Sequence, residues 1–328
     1  MTFDSFRGRP GWRVALAAAC IVFPVLVYAV AFYWLAGRAG TPADVAPEAI
    51  GLAFAEKGGP LFALEMAARE RYLLTSAAMF AVSAGALAYA LSRIYQRRGG
   101  AAALIGALAA AATGAVSALS AGNRLRTLIV EAPLALAETQ GASHGLTGLS
   151  EGISLFVAVN TFTGLAAVAA FMLRFADLAL GAPDDDMGEA GFARRAATLR
   201  ETMLMASAVL TSATIATCFF YQYPLALMTP ESRAVFGTLS GVASIRWGAA
   251  YTAILAAASA PAIIALIAER RRAMADGALP PGAAATGGLS EDDVQEYATG
   301  LAALAGVIAP AGAAPVSDLL PRGARRAG

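Results

Sequence analysis

Six long windows of the chain, residues 14–37, 72–92, 99–123, 152–173, 202–230 and 247–268, contain no Asp, Glu, Lys, Arg or His, and the charges gather in the segments between them. Each window reaches the roughly 20 apolar residues that a helix needs to cross hydrocarbon. One such helix can hide in a large soluble core, but six in 328 residues leave too little amphipathic surface to cover them. The pattern predicts an all-α fold: a polytopic integral membrane helical bundle of about six transmembrane helices in three hairpins. Short amphipathic helices are expected in the outer loops, and one in the C-terminal tail.

The connecting segments carry helix signals of their own. Pro47 through Glu56 can open a short helix with proline in its first turn, and residues 60–71 another that leads into the second span. Thr229, Pro230 and Glu231 read as N-cap, first helical residue and an acid on the positive end of the helix dipole. Leu125, Leu128, Ile129, Leu134 and Leu136 suit an amphipathic stretch broken at Pro133. These segments should lie over the outer mouth of the bundle. On the inner side, residues 181–189 form an acidic turn before a basic helix start at residues 192–201. The six-helix domain is expected to occupy residues 1–272. Beyond it the composition shifts to Gly, Ala and Pro, a flexible linker over 273–289. An amphipathic cytoplasmic helix over 290–309, opened by a Ser290/Asp293 capping box, should precede a disordered tail over 310–328.

Charge placement then sets the threading. With alternate loops on opposite sides, 13 basic residues, among them Arg7, Arg9, Arg13, Arg93, Arg97, Arg98, Arg174 and Arg270 to Arg272, fall on one face against 8 on the other. Lys and Arg concentrate on the cytoplasmic side of membrane proteins, so both termini are expected there. Arginine is read as a topology signal. Composition agrees with a membrane: 58% hydrophobic and 14% charged residues, where soluble domains have about 45–50% and 25%. A net charge of +1 offers no basic face to a nucleic acid. One Lys among 24 basic residues, with abundant Ala and Arg, fits a GC-rich bacterial genome and hence a bacterial inner membrane. Arg7, Arg9 and Arg13 before an apolar run also resemble a signal peptide, but the run continues through Phe32, Tyr33 and Trp34, too long for one. A retained first helix is expected.

Several motifs that impose a mechanism are absent: no phosphate loop, no H-E-x-x-H, no C-x-x-C. His144, the one histidine, sits in a Gly- and Ser-rich loop with no carboxylate near in sequence to orient it. Asp184, Asp185, Asp186 and Glu189 lack the alternation and central glycine of a calcium loop. Cys20 and Cys218 fall inside windows and should pack as small apolar groups. Glu65, Arg69, Glu70, Glu131, Glu138 and Glu151 are expected mostly to meet water. No metal is implied, and the sequence does not identify a cofactor.

What stands out is polarity where hydrocarbon is expected. Asn160 lies near the middle of its window, where an unpaired amide costs several kcal/mol, so it must face the bundle interior or a wet cavity. Together with Thr161, Thr163, Gln222 and Tyr251 it is a candidate ligand-binding or pore-lining group; the competing reading is polar glue between helices. Tyr221 and Tyr223 suit an interfacial belt. Pro261, deep in the last span, is a candidate hinge. Gly85 on the second span, and Gly106 and Gly114 on the third, are candidate packing positions, and the close pair is expected to be these two helices.

Two functional readings follow. The absence of ionisable groups at depth disfavours proton-driven carriers, leaving a permease or channel-like protein for a neutral or amphipathic solute. The alternative is a non-catalytic sensor or accessory subunit of a larger membrane complex. It would act through its outer loops, with a protein partner at the C-terminal tail and the lipid bilayer around it. An enzyme is disfavoured for want of a paired acid and base.

Overall fold

A computed structural model describes residues 11–33, 60–119, 126–140, 149–181, 189–275 and 277. Its helices are α1 (Trp12–Tyr33), α2 (Pro60–Arg98), α3 (Gly100–Leu119), α4 (Ala132–Gln140), α5 (Leu149–Leu180), α6 (Glu189–Gln222) and α7 (Pro230–Ala275). A π-helical turn, Thr127–Glu131, precedes α4, and a 3-10 turn, Tyr223–Leu227, follows α6. Among the described residues there is no strand, and five helices (α1, α2, α5, α6 and α7) are long and apolar enough to cross a membrane. The third window forms α3, apolar but shorter at 20 residues. The expected helix over Pro47 to Glu56, His144, the acidic run 184–186 and the tail helix over 290–309 lie outside the described residues.

Local chemistry accounts for the boundaries. α2 and α3 are joined through Gly99 alone, whose φ of +82° closes one helix and lets the next begin. Thr229 caps α7 by accepting from the Ser232 backbone N–H at 3.5 Å, with Pro230 as first residue and Glu231 in the first turn. α7 then runs 46 residues without interruption, about 69 Å at 1.5 Å per residue and more than twice the roughly 30 Å of hydrocarbon. The loop expected over 231–246 is therefore the first turns of α7 itself. Pro133 does not end the stretch: the π-helical turn Thr127–Glu131 runs straight into α4, of which Pro133 is the second residue. Pro24, in the middle of α1, is a second intrahelical proline that the sequence reading passes over, and Pro261 is buried within an α7 that stays one helix.

α5 is the hub. It packs against α1, α2, α3, α6 and α7, and from Ala166 to Ala179 nearly every side chain on it is buried. α1 lies between α5 and α7, with Ala17 and Cys20 buried in the contact. α3 docks on α5 more extensively than on α2. Gly106, Ala110 and Gly114 form its buried stripe, and a Cβ added at Gly114 would stand 2.5 Å from the Phe162 carbonyl oxygen. The close pair is thus α3 with α5 rather than α3 with α2. On α2 the buried face is Tyr72, Ser76, Met79, Ser83, Ala86, Ala90 and Ile94, so Gly85 points away, with nothing within 4 Å of an added Cβ. Large residues such as Leu74, Phe80, Leu104 and Leu108 face outward, as in lipid, where small residues let backbones approach.

The two ends of the bundle differ. At one, the start of α1, the end of α2, the end of α5, the start of α6 and the end of α7 meet through ion pairs. Asp177 receives Arg98 Nε and Arg174 Nη1, each at 2.6 Å, and lies 3.5 Å from Arg97. Glu269, 2% exposed, pairs with Arg13 at 2.9 Å and accepts from Arg195. Arginines also donate to the last carbonyls of α5: Arg13 to Leu180, Arg195 to Leu178 and Arg98 to Gly181, which completes the negative end of that helix. Reading arginine as topology alone misses this. Arg174, at 2% exposure, is among the most buried side chains described.

At the far end, the π turn and α4 cover the bundle. Ile129, Val130, Leu134 and Ala137 pack with Tyr72, Phe220, Tyr221, Tyr223 and Trp247. Tyr221 and Tyr223 are therefore core residues, not an interfacial belt.

Candidate functional site

Most hydroxyls in the bundle are spent locally. Thr75, Thr113, Thr163, Thr198, Thr214, Ser244, Thr252 and Ser259 each donate to a carbonyl four residues back on their own helix. Between elements, Trp247 Nε1 donates to the Tyr221 hydroxyl at 3.3 Å, and Tyr223 Oη to Glu65 at 2.9 Å. Glu65, only 4% exposed and 3.5 Å from Arg69, does not meet water as expected. Tyr223→Phe removes its short donor and should cost about 1–3 kcal/mol, the penalty of an under-satisfied buried acceptor, measured as a lower unfolding temperature in detergent.

Between α1, α2, α5, α6 and α7, in the half of the bundle away from the arginine-rich end, lies a cavity of about 140 Å³. That is room for several waters or one small organic group. Asn160, Thr161 and Tyr251 are on its wall. Asn160 is 8% exposed. Its backbone carbonyl accepts from Thr163 at 3.3 Å, and its side-chain amide makes no hydrogen bond to another described residue. Helix α5 aims it there because the opposite faces of the helix are packed on its neighbours, leaving this turn beside the void.

The other sequence candidates are placed elsewhere. Thr163 returns its hydroxyl to Val159 at 2.8 Å and is not on the wall. Gln222 ends α6, half-buried and off the cavity. Pro261 lies further along α7, past Tyr251 and toward the arginine-rich end.

Several wall residues escape the sequence reading. Tyr28, Tyr72, Phe220, Tyr221 and Trp247 supply aromatic faces, with Trp247 and Tyr251 rings 5.6 Å apart and Tyr72 and Phe220 5.7 Å apart. Ser76 Oγ is buried without a well-formed hydrogen bond. Arg126 enters the wall from the turn before α4, its Nε 2.8 Å from Glu131. No spacing rule brings a loop arginine into a bundle; the signal available was the apolar run that follows it, Leu128 to Val130, which has to dock.

Toward the arginine-rich end the cavity closes. Val168 and Leu210 are shared between its floor and a void of only about 10 Å³, walled by Phe171, Phe175, Ala206, Ile254, Leu255 and Ala258. The ion pairs of Asp177 and Glu269 lie beyond. Among the described residues no three His, Cys, Asp or Glu come together.

Five helices of spanning length and apolar composition, packed around a largely apolar cavity with a few polar groups on its wall, define a multi-pass membrane protein. No family model, curated protein or solved structure matches the chain.

Proposed function

We propose that the protein is a permease, or a channel-like carrier, for a small neutral or amphipathic solute. The carrying observation is Asn160, a residue only 8% exposed and on the cavity wall, whose side-chain amide makes no hydrogen bond to another described residue. Burial of such a group is costly unless something else, a solute or water, satisfies it. An aromatic and aliphatic wall with a few polar groups is the usual composition of a small-molecule site. In this reading α3 completes a six-span bundle in three hairpins, with the arginine-rich end in the cytoplasm and a bacterial inner membrane around it. What supports the layout is that alternate helix ends meet at the same ion pairs. The cavity then faces outward, closed below by Phe171 and Phe175, one end-state of a carrier that alternates.

The test is flux in proteoliposomes with indole, benzoate and octanoate as probes. Asn160→Leu should lower flux at least tenfold with the unfolding temperature unchanged, and undiminished flux would sink the proposal. The sealed arginine-rich end also favours a second reading, a sensor or accessory subunit that binds at the outer face and passes nothing. Saturable binding without flux selects it.

A further inference from the structure

The cavity is graded along its length. Nearest the far end are Arg126, Tyr72, Tyr221 and Trp247; at mid-depth are Ser76, Asn160 and Thr161; deepest are Met79, Leu165, Val168, Val209 and Leu210. α2 loses polarity as it descends and α6 gains it as it ascends, while α5 places Asn160 and Thr161 between Val157 and the apolar Leu165 and Val168. On α5 the wall runs from Val157 to Val168, a rise of about 16 Å at 1.5 Å per residue. The space is therefore a slot rather than a bowl.

We infer that this slot takes a single-chain amphiphile bearing an anionic, acceptor-only head, seated with the head at Arg126 and the apolar chain pointing toward Val168 and Val209. The inference rests on the reading of the cavity as a ligand site and names its ligand class.

Three observations select that chemistry. A fully polar solute would leave its inner part against Met79, Leu165, Val168 and Leu210 with no partner, a cost of several kcal/mol per unsatisfied group. A cation would find rings suited to it in Tyr72, Tyr221 and Trp247, but would share the space with the Arg126 guanidinium, which repels it. A carboxylate meets a planar fork of donors. Arg126 is on the cavity wall with Glu131 2.8 Å from its Nε, and a guanidinium carries five N–H donors, more than any one carboxylate can occupy. Ser76 Oγ and the Asn160 amide sit just below, where a head group's remaining oxygen would come to rest.

Trp247 on the wall reads occupancy by its fluorescence, once Trp12 and Trp34 are replaced by Phe. In nanodiscs, with empty discs as the partition control, octanoate should quench saturably and at least tenfold more tightly than octanol, and octyltrimethylammonium should not compete. Arg126→Gln should erase the preference for octanoate over octanol. Ala213→Phe, which fills the deep end, should weaken octanoate at least tenfold while sparing butyrate. Equal affinity for octanoate and octyltrimethylammonium, or an Arg126→Gln protein of unchanged unfolding temperature that keeps the preference, overturns the inference. If indole binds and octanoate does not, the ligand class is wrong and the cavity reading stands; if no probe binds, both fall.

Discussion

Replacing Glu269 with Gln should destabilise the folded protein by about 3–5 kcal/mol, the range for removing one partner of a buried ion pair. Glu269 is 2% exposed and answers two arginines, Arg13 from α1 and Arg195 from α6. Without its charge, Arg195 remains buried beside an amide that neutralises nothing. The loss also loosens three helices at once, because α1, α6 and α7 meet at this carboxylate. Asp177→Asn should behave alike, since Asp177 holds Arg98 from α2 and Arg174 from its own helix. The control is Glu201→Gln, whose pair with Arg93 at 3.0 Å is 45% and 38% exposed and is expected to be worth no more than about 1 kcal/mol. Thermal unfolding in detergent separates them: a drop of several degrees for Glu269→Gln, little for Glu201→Gln. Equal effects would mean that the arginine-rich end is wet and its ion pairs carry little stability.

A second large effect is expected at Gly114. An added Cβ would stand 2.5 Å from the Phe162 carbonyl oxygen and 3.2 Å from its carbon, and these are backbone atoms that no rotamer change can move aside. Gly114→Ala should cost about 1–3 kcal/mol, as overpacking does in a well-filled contact. Gly114→Leu should prevent α3 from docking on α5 and abolish recovery of folded protein. Gly85→Ala, with nothing within 4 Å, should be neutral, or stabilising by up to about 1 kcal/mol as a helix propensity gain. The readout is the yield of monodisperse protein together with its unfolding temperature. A tolerated Gly114→Leu would show that α3 is not held at this contact.

These two cases mark what the chain's sequence reveals. Spans could be located because charge is excluded over whole windows, a signal that needs no knowledge of packing. The buried stripe of α3 was visible for a related reason: Gly106, Ala110 and Gly114 are small on one face while Leu104, Leu108 and Val116 are large on others. α2 misled. Ala77, Ala81 and Gly85 are as small as the true interface residues Ser83, Ala86 and Ala90, so size alone could not choose the face. Asn160 announced itself because an amide at that depth has to face inward. Arg126, Glu65, Asp177 and Glu269 did not, because a charge at the edge of a window looks the same whether it meets water or a partner on a distant helix. Pairing across the sequence, as between Arg13 and Glu269, leaves no local trace.

Charge at both ends and none between has an electrical consequence. From Val14 to Tyr33 and across the five other windows there is no Asp, Glu, Lys, Arg or His, so a conformational change within the bundle moves little of the protein's own charge through the voltage drop. Any voltage dependence of flux would then belong to the cargo. Transport of a neutral molecule should ignore the membrane potential, whereas an anion would feel it through its own single charge, about 2.3 kcal/mol per 100 mV.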